Sequence, residues 1–194
     1  MKIKSLIMLV TVSVLLAACS DKEDKTVATV NDAVITQGEL QDALMKQYGA
    51  DVLELLMTNE IIKQEAKAQK IEVTDEELDA EYKVYADYYG SEEALLESMA
   101  IYNMTKDDIL NDIKLYLLTV QLLKKEITLT DEEIQAYYEE NKTSFTTDDG
   151  EQLAFEDVKE DVEAALLEER IDAEYDVWLD EKFEQYDVKT YLND

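Results

Sequence analysis

The sequence predicts a mainly helical fold with one small β-sheet. Three observations carry this expectation. Its 194 residues include no proline and only four glycines, so the strongest helix breakers are nearly absent. Apolar side chains recur three and four positions apart over long stretches. Threonines followed three positions later by a carboxylate mark repeated helix starts.

The N-terminal segment has the layout of an export signal over residues 1–18. Lys2 and Lys4 are followed by an apolar run from Leu6 to Ala18, interrupted only by Thr11 and Ser13, and small residues precede Cys19. This run is shorter than the ~20 residues a bilayer-spanning helix needs. Residues 19–25 read as a charged linker and residues 26–194 as one domain.

Two β-branched runs around Asn31-Asp32, within 26–36, read as a hairpin. Thr36 and Glu39 open a helix toward Tyr48, which Gly49 is expected to punctuate. Over 50–70, Val52, Leu55, Leu56, Ile61, Ile62 and Ala66 recur at helical spacing. Thr74 with Glu77 and Thr130 with Glu133 form further capping boxes, and Thr105 precedes Asp107 and Asp108 in the same way. The helix over 106–126 carries a stripe of Ile109, Ile113, Leu117, Val120 and Leu123. A final helix over 155–185 presents Val158, Val162, Ala165, Leu166, Ile171, Trp178 and Phe183. Residues 186–191 read as a strand that pairs with the hairpin, so the small sheet would join N- and C-terminal strands.

Composition removes whole classes of chemistry. The formal charge of −29 makes nucleic acid and anionic lipid headgroups poor partners. Without histidine there is no imidazole for general acid–base work, for Ser-His-Asp or Cys-His nucleophiles, or for zinc. Four scattered glycines make no phosphate-cradling loop. Cys19 is the single cysteine, so disulfides and thiolate metal sites are not expected, and no cofactor is. Paired carboxylates such as Glu76 and Glu77 read as the acidic first turn of a helix, because sequence neighbours point to different sides.

Several stretches together carry a resemblance. Leu16-Ala17-Ala18-Cys19 resembles the lipobox of bacterial lipoproteins. It implies diacylglycerol on the Cys19 thiol and anchoring at the outer face of a cell membrane, in a Gram-positive bacterium. The stretch VATVNDAVITQGEL at 27–40, the helix over 55–66 and VTDEEL at 73–78 resemble the N-terminal domain of PrsA-type foldases and SurA-like chaperones. LTDEEIQAYYEEN at 129–141 is similar to the helix that leads into their parvulin prolyl-isomerase module, and FEDVKEDV at 155–162 to the helix that follows it. The family implies a helical chaperone fold acting on exported proteins.

One departure from the family is large. Only the thirteen residues 142–154 stand where the parvulin module would be inserted, too few for a catalytic domain, and the histidines such a site uses are absent. Asp149-Gly150 is expected to turn a short hairpin or loop there. A calcium loop is the rival reading, but with Gly150 in register Phe145 and Thr147 fall where carboxylates are needed.

A non-catalytic chaperone needs adaptable apolar surface. Tyr82, Tyr85, Tyr88, Tyr89, Met99, Ile101, Tyr102 and Met104 form the densest Tyr/Met stretch and are the candidate client-binding residues. The same residues at helical spacing also suit a core. The expected partners are unfolded or nascent exported proteins, the membrane through Cys19, and a second copy if the chain dimerises. Two other classes stay open: an adaptor lipoprotein holding one partner or itself, and a prolyl isomerase by family with its catalytic module absent.

Overall fold

A computed structural model of the chain describes residues 25–147 and 149–192. The expected export signal, Cys19 and nearly all of the linker lie outside the described residues. Among the described residues the elements run β1 (Thr26–Val30), β2 (Ala33–Thr36), α1 (Gln37–Gln69), α2 (Asp75–Tyr88), α3 (Glu92–Ala100), α4 (Lys106–Glu126), α5 (Asp131–Glu140) and α6 (Phe155–Gln185). They form two compact units, divided between Val52 and Leu53 inside α1.

The first unit is built on a hairpin. β1 and β2 pair antiparallel, Val30 opposite Ala33 and Thr29 opposite Val34, with an irregularity between Thr26 and Ala28. Asn31 takes the left-handed conformation at φ 51°, which asparagine tolerates better than most side chains. The Thr36 N–H donates to Glu39 at 2.8 Å and the Glu39 N–H to the Thr36 hydroxyl at 3.2 Å, the reciprocal box that starts α1. Gly49 does not end the helix: α1 runs through it and is 33 residues long in all. One interior glycine costs only ~1 kcal/mol against alanine.

The second unit holds three apolar clusters. Its share of α1 ends where Lys70 turns left-handed at φ 56°. There the Ile71 N–H reaches back to the Ala66 carbonyl at 2.8 Å, a glycine-free version of the usual C-terminal cap. Ile62 and Ala66 of α1 pack with Leu118, Leu122 and Leu123 of α4 and with Ile171 and Trp178 of α6. Tyr82 and Ala86 of α2, Leu95 of α3, and Ile109 and Ile113 of α4 form the second cluster. Ile134 and Tyr138 of α5 with Val158, Val162 and Leu166 of α6 form the third. Thus α4 links the first cluster to the second, and α6 links the first to the third.

The expected pairing of residues 186–191 with the hairpin is not formed. The sheet has two strands, β1 and β2. Tyr186 closes α6 instead, its N–H donating to the Lys182 carbonyl and its hydroxyl to Glu65, both at 3.0 Å. The Val188 N–H then folds back onto the Tyr186 carbonyl at 2.9 Å, a three-residue turn that leaves no extended edge to pair.

Between α5 and α6 the chain makes a short closed turn. Thr146 and Gln152 form an antiparallel bridge, and the Thr147 N–H donates to the Glu151 carbonyl at 2.8 Å. Gly150 sits at φ 81°, where a side chain is strained, and its N–H donates to the Thr147 carbonyl. The ring of Tyr138 lies against Phe145 and Phe155, with centroids 5.9 and 5.4 Å away, and its hydroxyl donates to the Leu153 carbonyl.

Candidate client-binding surface

The Tyr/Met stretch lies on α2, α3 and the turns that follow them, and the structure sorts its members by burial. Tyr82 is in the core. Its hydroxyl donates to Glu92 at 3.1 Å, and Lys106 sits 4.3 Å above its ring while making a 2.6 Å ion pair with the same carboxylate. The hydrogen bond from Lys106 and then that from Tyr82 hold the Glu92 carboxyl below its usual range, whereas burial pushes the Tyr82 phenol up. Tyr82 therefore pins α2 to the starts of α3 and α4. Met99 and Met104 are partly buried against the same cluster.

The other five face solvent. Tyr85 and Tyr89 are just over a third exposed, while Tyr88, Ile101 and Tyr102 are 86%, 78% and 72% exposed. Tyr88 and Tyr89 meet edge to face, with ring centroids 5.5 Å apart. They end α2 at a turn that requires Gly90 at φ 90°, after which Ser91 caps α3 by accepting the Ala94 N–H. Ile101 and Tyr102 follow the last turn of α3, where Asn103 at φ 57° and the Met104 N–H, donating to the Met99 carbonyl, reverse the chain. The two exposed pairs thus flank α3, a helix of nine residues and about 13 Å at 1.5 Å per residue. One continuous patch in the sequence is two aromatic tips in space.

Sequence reasoning missed Tyr116. It stands half-exposed on α4, its phenol pushed up by burial first and then by the charges of Glu81 and Glu168. Its spacing from Val120, i to i+4, places it at the edge of the stripe that Val120 belongs to, which packs against the first cluster. Among the described residues no group of histidine, cysteine, aspartate and glutamate is placed to hold a metal ion. Nor is any described helix long and apolar enough to cross a membrane.

No family model matches the chain. It is 29% identical to the foldase protein PrsA of Halalkalibacterium halodurans, over 74% of this chain and 46% of that protein. Identity to foldase protein PrsA 2 of Bacillus cereus is 32%, over 60% of this chain and 39% of the relative. The crystal structure of PrsA from Bacillus subtilis matches the fold with a TM-score of 0.58 at 18% identity, covering 87% of this chain and 95% of that one. The chain is thus similar to PrsA foldases in sequence and to PrsA in fold. The chain spans less than half the length of these curated PrsA relatives. Yet the PrsA fold covers most of it.

Proposed function

We propose that the protein is an extracytoplasmic chaperone, anchored by lipid on Cys19, that holds unfolded or partly folded exported proteins without isomerising them. In this reading residues 1–18 are the export signal, 19–25 the tether and 26–194 the holding body. The observation that carries it is the exposure of Tyr88 at one end of α3 and of Ile101 and Tyr102 at the other; of the remaining described aromatics Tyr191 alone is comparably exposed, at 70%. Aromatic tips with a polar end offer large contact area at low entropic cost to an unfolded segment, while the surrounding carboxylates keep the body in solution. Two features favour holding over catalysis: the chain has no histidine, and only the fourteen residues 141–154, closed by the Thr146–Gln152 bridge, join α5 to α6.

The test uses the mature protein and a chemically unfolded exported protein that aggregates on dilution. Wild type should suppress light scattering. Tyr88→Ala with Tyr89→Ala should lose most of that protection while far-UV circular dichroism is unchanged, and Ile101→Ser with Tyr102→Ala should do the same. Protection that survives both pairs of changes would remove the tips from the function. A prolyl-peptide assay should give no rate above background, and Cys19→Ser should release the protein from the membrane fraction.

A further inference from the structure

The cleft between α4 and α6 has no role in the reading above. It encloses about 480 Å³, within the ~300–1,000 Å³ range of ligand pockets. Its floor is apolar, made by Val120 of α4 and by Ala164, Leu167 and Ile171 of α6, the last three spaced to share one helix face. Its edge carries Glu160, Glu163, Glu168 and Asp172 against a single cation, Lys124.

These edge carboxylates are unbalanced. Elsewhere on the same body Asp131 pairs with Lys159, Glu133 with Arg170, and Glu65 and Glu126 with Lys182. Among the described residues the four at the cleft make no ion pair. Uncompensated like charge beside an apolar floor favours a ligand that is apolar and positive together.

We propose that the α4–α6 cleft binds a cationic amphipathic segment of an unfolded polypeptide, with its apolar side chains on Val120 and Leu167 and its lysines or arginines against Glu163, Glu168 and Asp172. A second copy of this chain is a poor occupant, since each carries a formal charge of −29. An anionic lipid surface is disfavoured for the same reason. The site is separate from the tyrosine tips, so either can fail without the other.

Fluorescence anisotropy tests it, with a short labelled peptide of alternating leucine pairs and lysines added to the mature protein. Binding should weaken with added salt and be absent for the same peptide with glutamate in place of lysine. Glu163→Gln, Glu168→Gln and Asp172→Asn together should weaken it about tenfold, the combined worth of three rim ion pairs. A control with equal charge removed from elsewhere, Glu132→Gln, Asp180→Asn and Glu184→Gln, should change it less than about twofold on the same scale. Ala164→Trp should fill the cleft and abolish binding; if that variant does not fold, the comparison of the two neutralised proteins decides. Tyr88→Ala with Tyr89→Ala should leave binding intact. Equal weakening by the cleft and control substitutions, or equal binding of the glutamate peptide, overturns the assignment.

Discussion

Glu133 shows how much one side chain does in this scaffold. It accepts the Thr130 N–H and hydroxyl at 2.9 Å each and the Arg170 guanidinium at 2.8 Å, so it starts α5 and ties it to α6. The two Thr130 bonds, more than Arg170, hold its carboxyl below the usual glutamate range. A carboxyl whose pKa is lower folded than unfolded stabilises the fold above its unfolded value and loses that contribution as pH falls through the folded one. Urea unfolding should therefore show Glu133→Gln less stable than wild type at neutral pH. That gap should close as pH falls through and below the ordinary glutamate range; a gap independent of pH would contradict the assignment. The Thr130 half of this site was legible in the sequence, because a capping box is a local spacing. The Arg170 half was not, since its partner lies 37 positions away. Tyr82 and Tyr88 illustrate the same limit. Both are tyrosines on one helix, and only the packing of α3 and α4 onto α2 decides that the first is core and the second solvent-facing.

Among the elements, α4 and α6 were read at their observed ends: both carry a long apolar stripe, and α4 also begins at a capping box, whereas α6 starts after Ala154 with no side-chain cap. Two readings missed for a common reason. Whether Gly49 ends a helix and whether residues 186–191 extend into a strand depend on what packs around them, not on their own propensity. The α5–α6 connection, read in the sequence as a short hairpin or loop, has its ends held side by side by the Thr146–Gln152 bridge. Such a site accepts a folded insert whose own termini are close. A compact domain inserted between Asp149 and Gly150 should leave the unfolding temperature of the helical body within a few degrees of wild type. The same insert between Leu117 and Leu118, inside α4, should abolish cooperative unfolding, because it separates two clusters that α4 joins. Loss of folding from the first insertion would show that the turn is part of the core rather than a connection.

On the scale of the whole molecule, charge and apolar surface pull against each other. A formal charge of −29 repels itself, so added salt should raise the unfolding temperature of the mature protein, and a fall would mean that the ion pairs outweigh the repulsion. The helical class and the PrsA relationship were visible in the order of short segments along the chain. The α4–α6 cleft was not, because single-sequence periodicity does not say which helix lies against which. Holding of unfolded chains at the two tips flanking α3 is open to site-specific photo-crosslinking. A photoreactive residue placed at Tyr88 or Tyr102 should capture an unfolded exported protein and release the folded form uncaptured, while one at Glu132 should capture neither. Capture at Glu132 equal to that at the two tips, or none at the tips while aggregation is still suppressed, would contradict it.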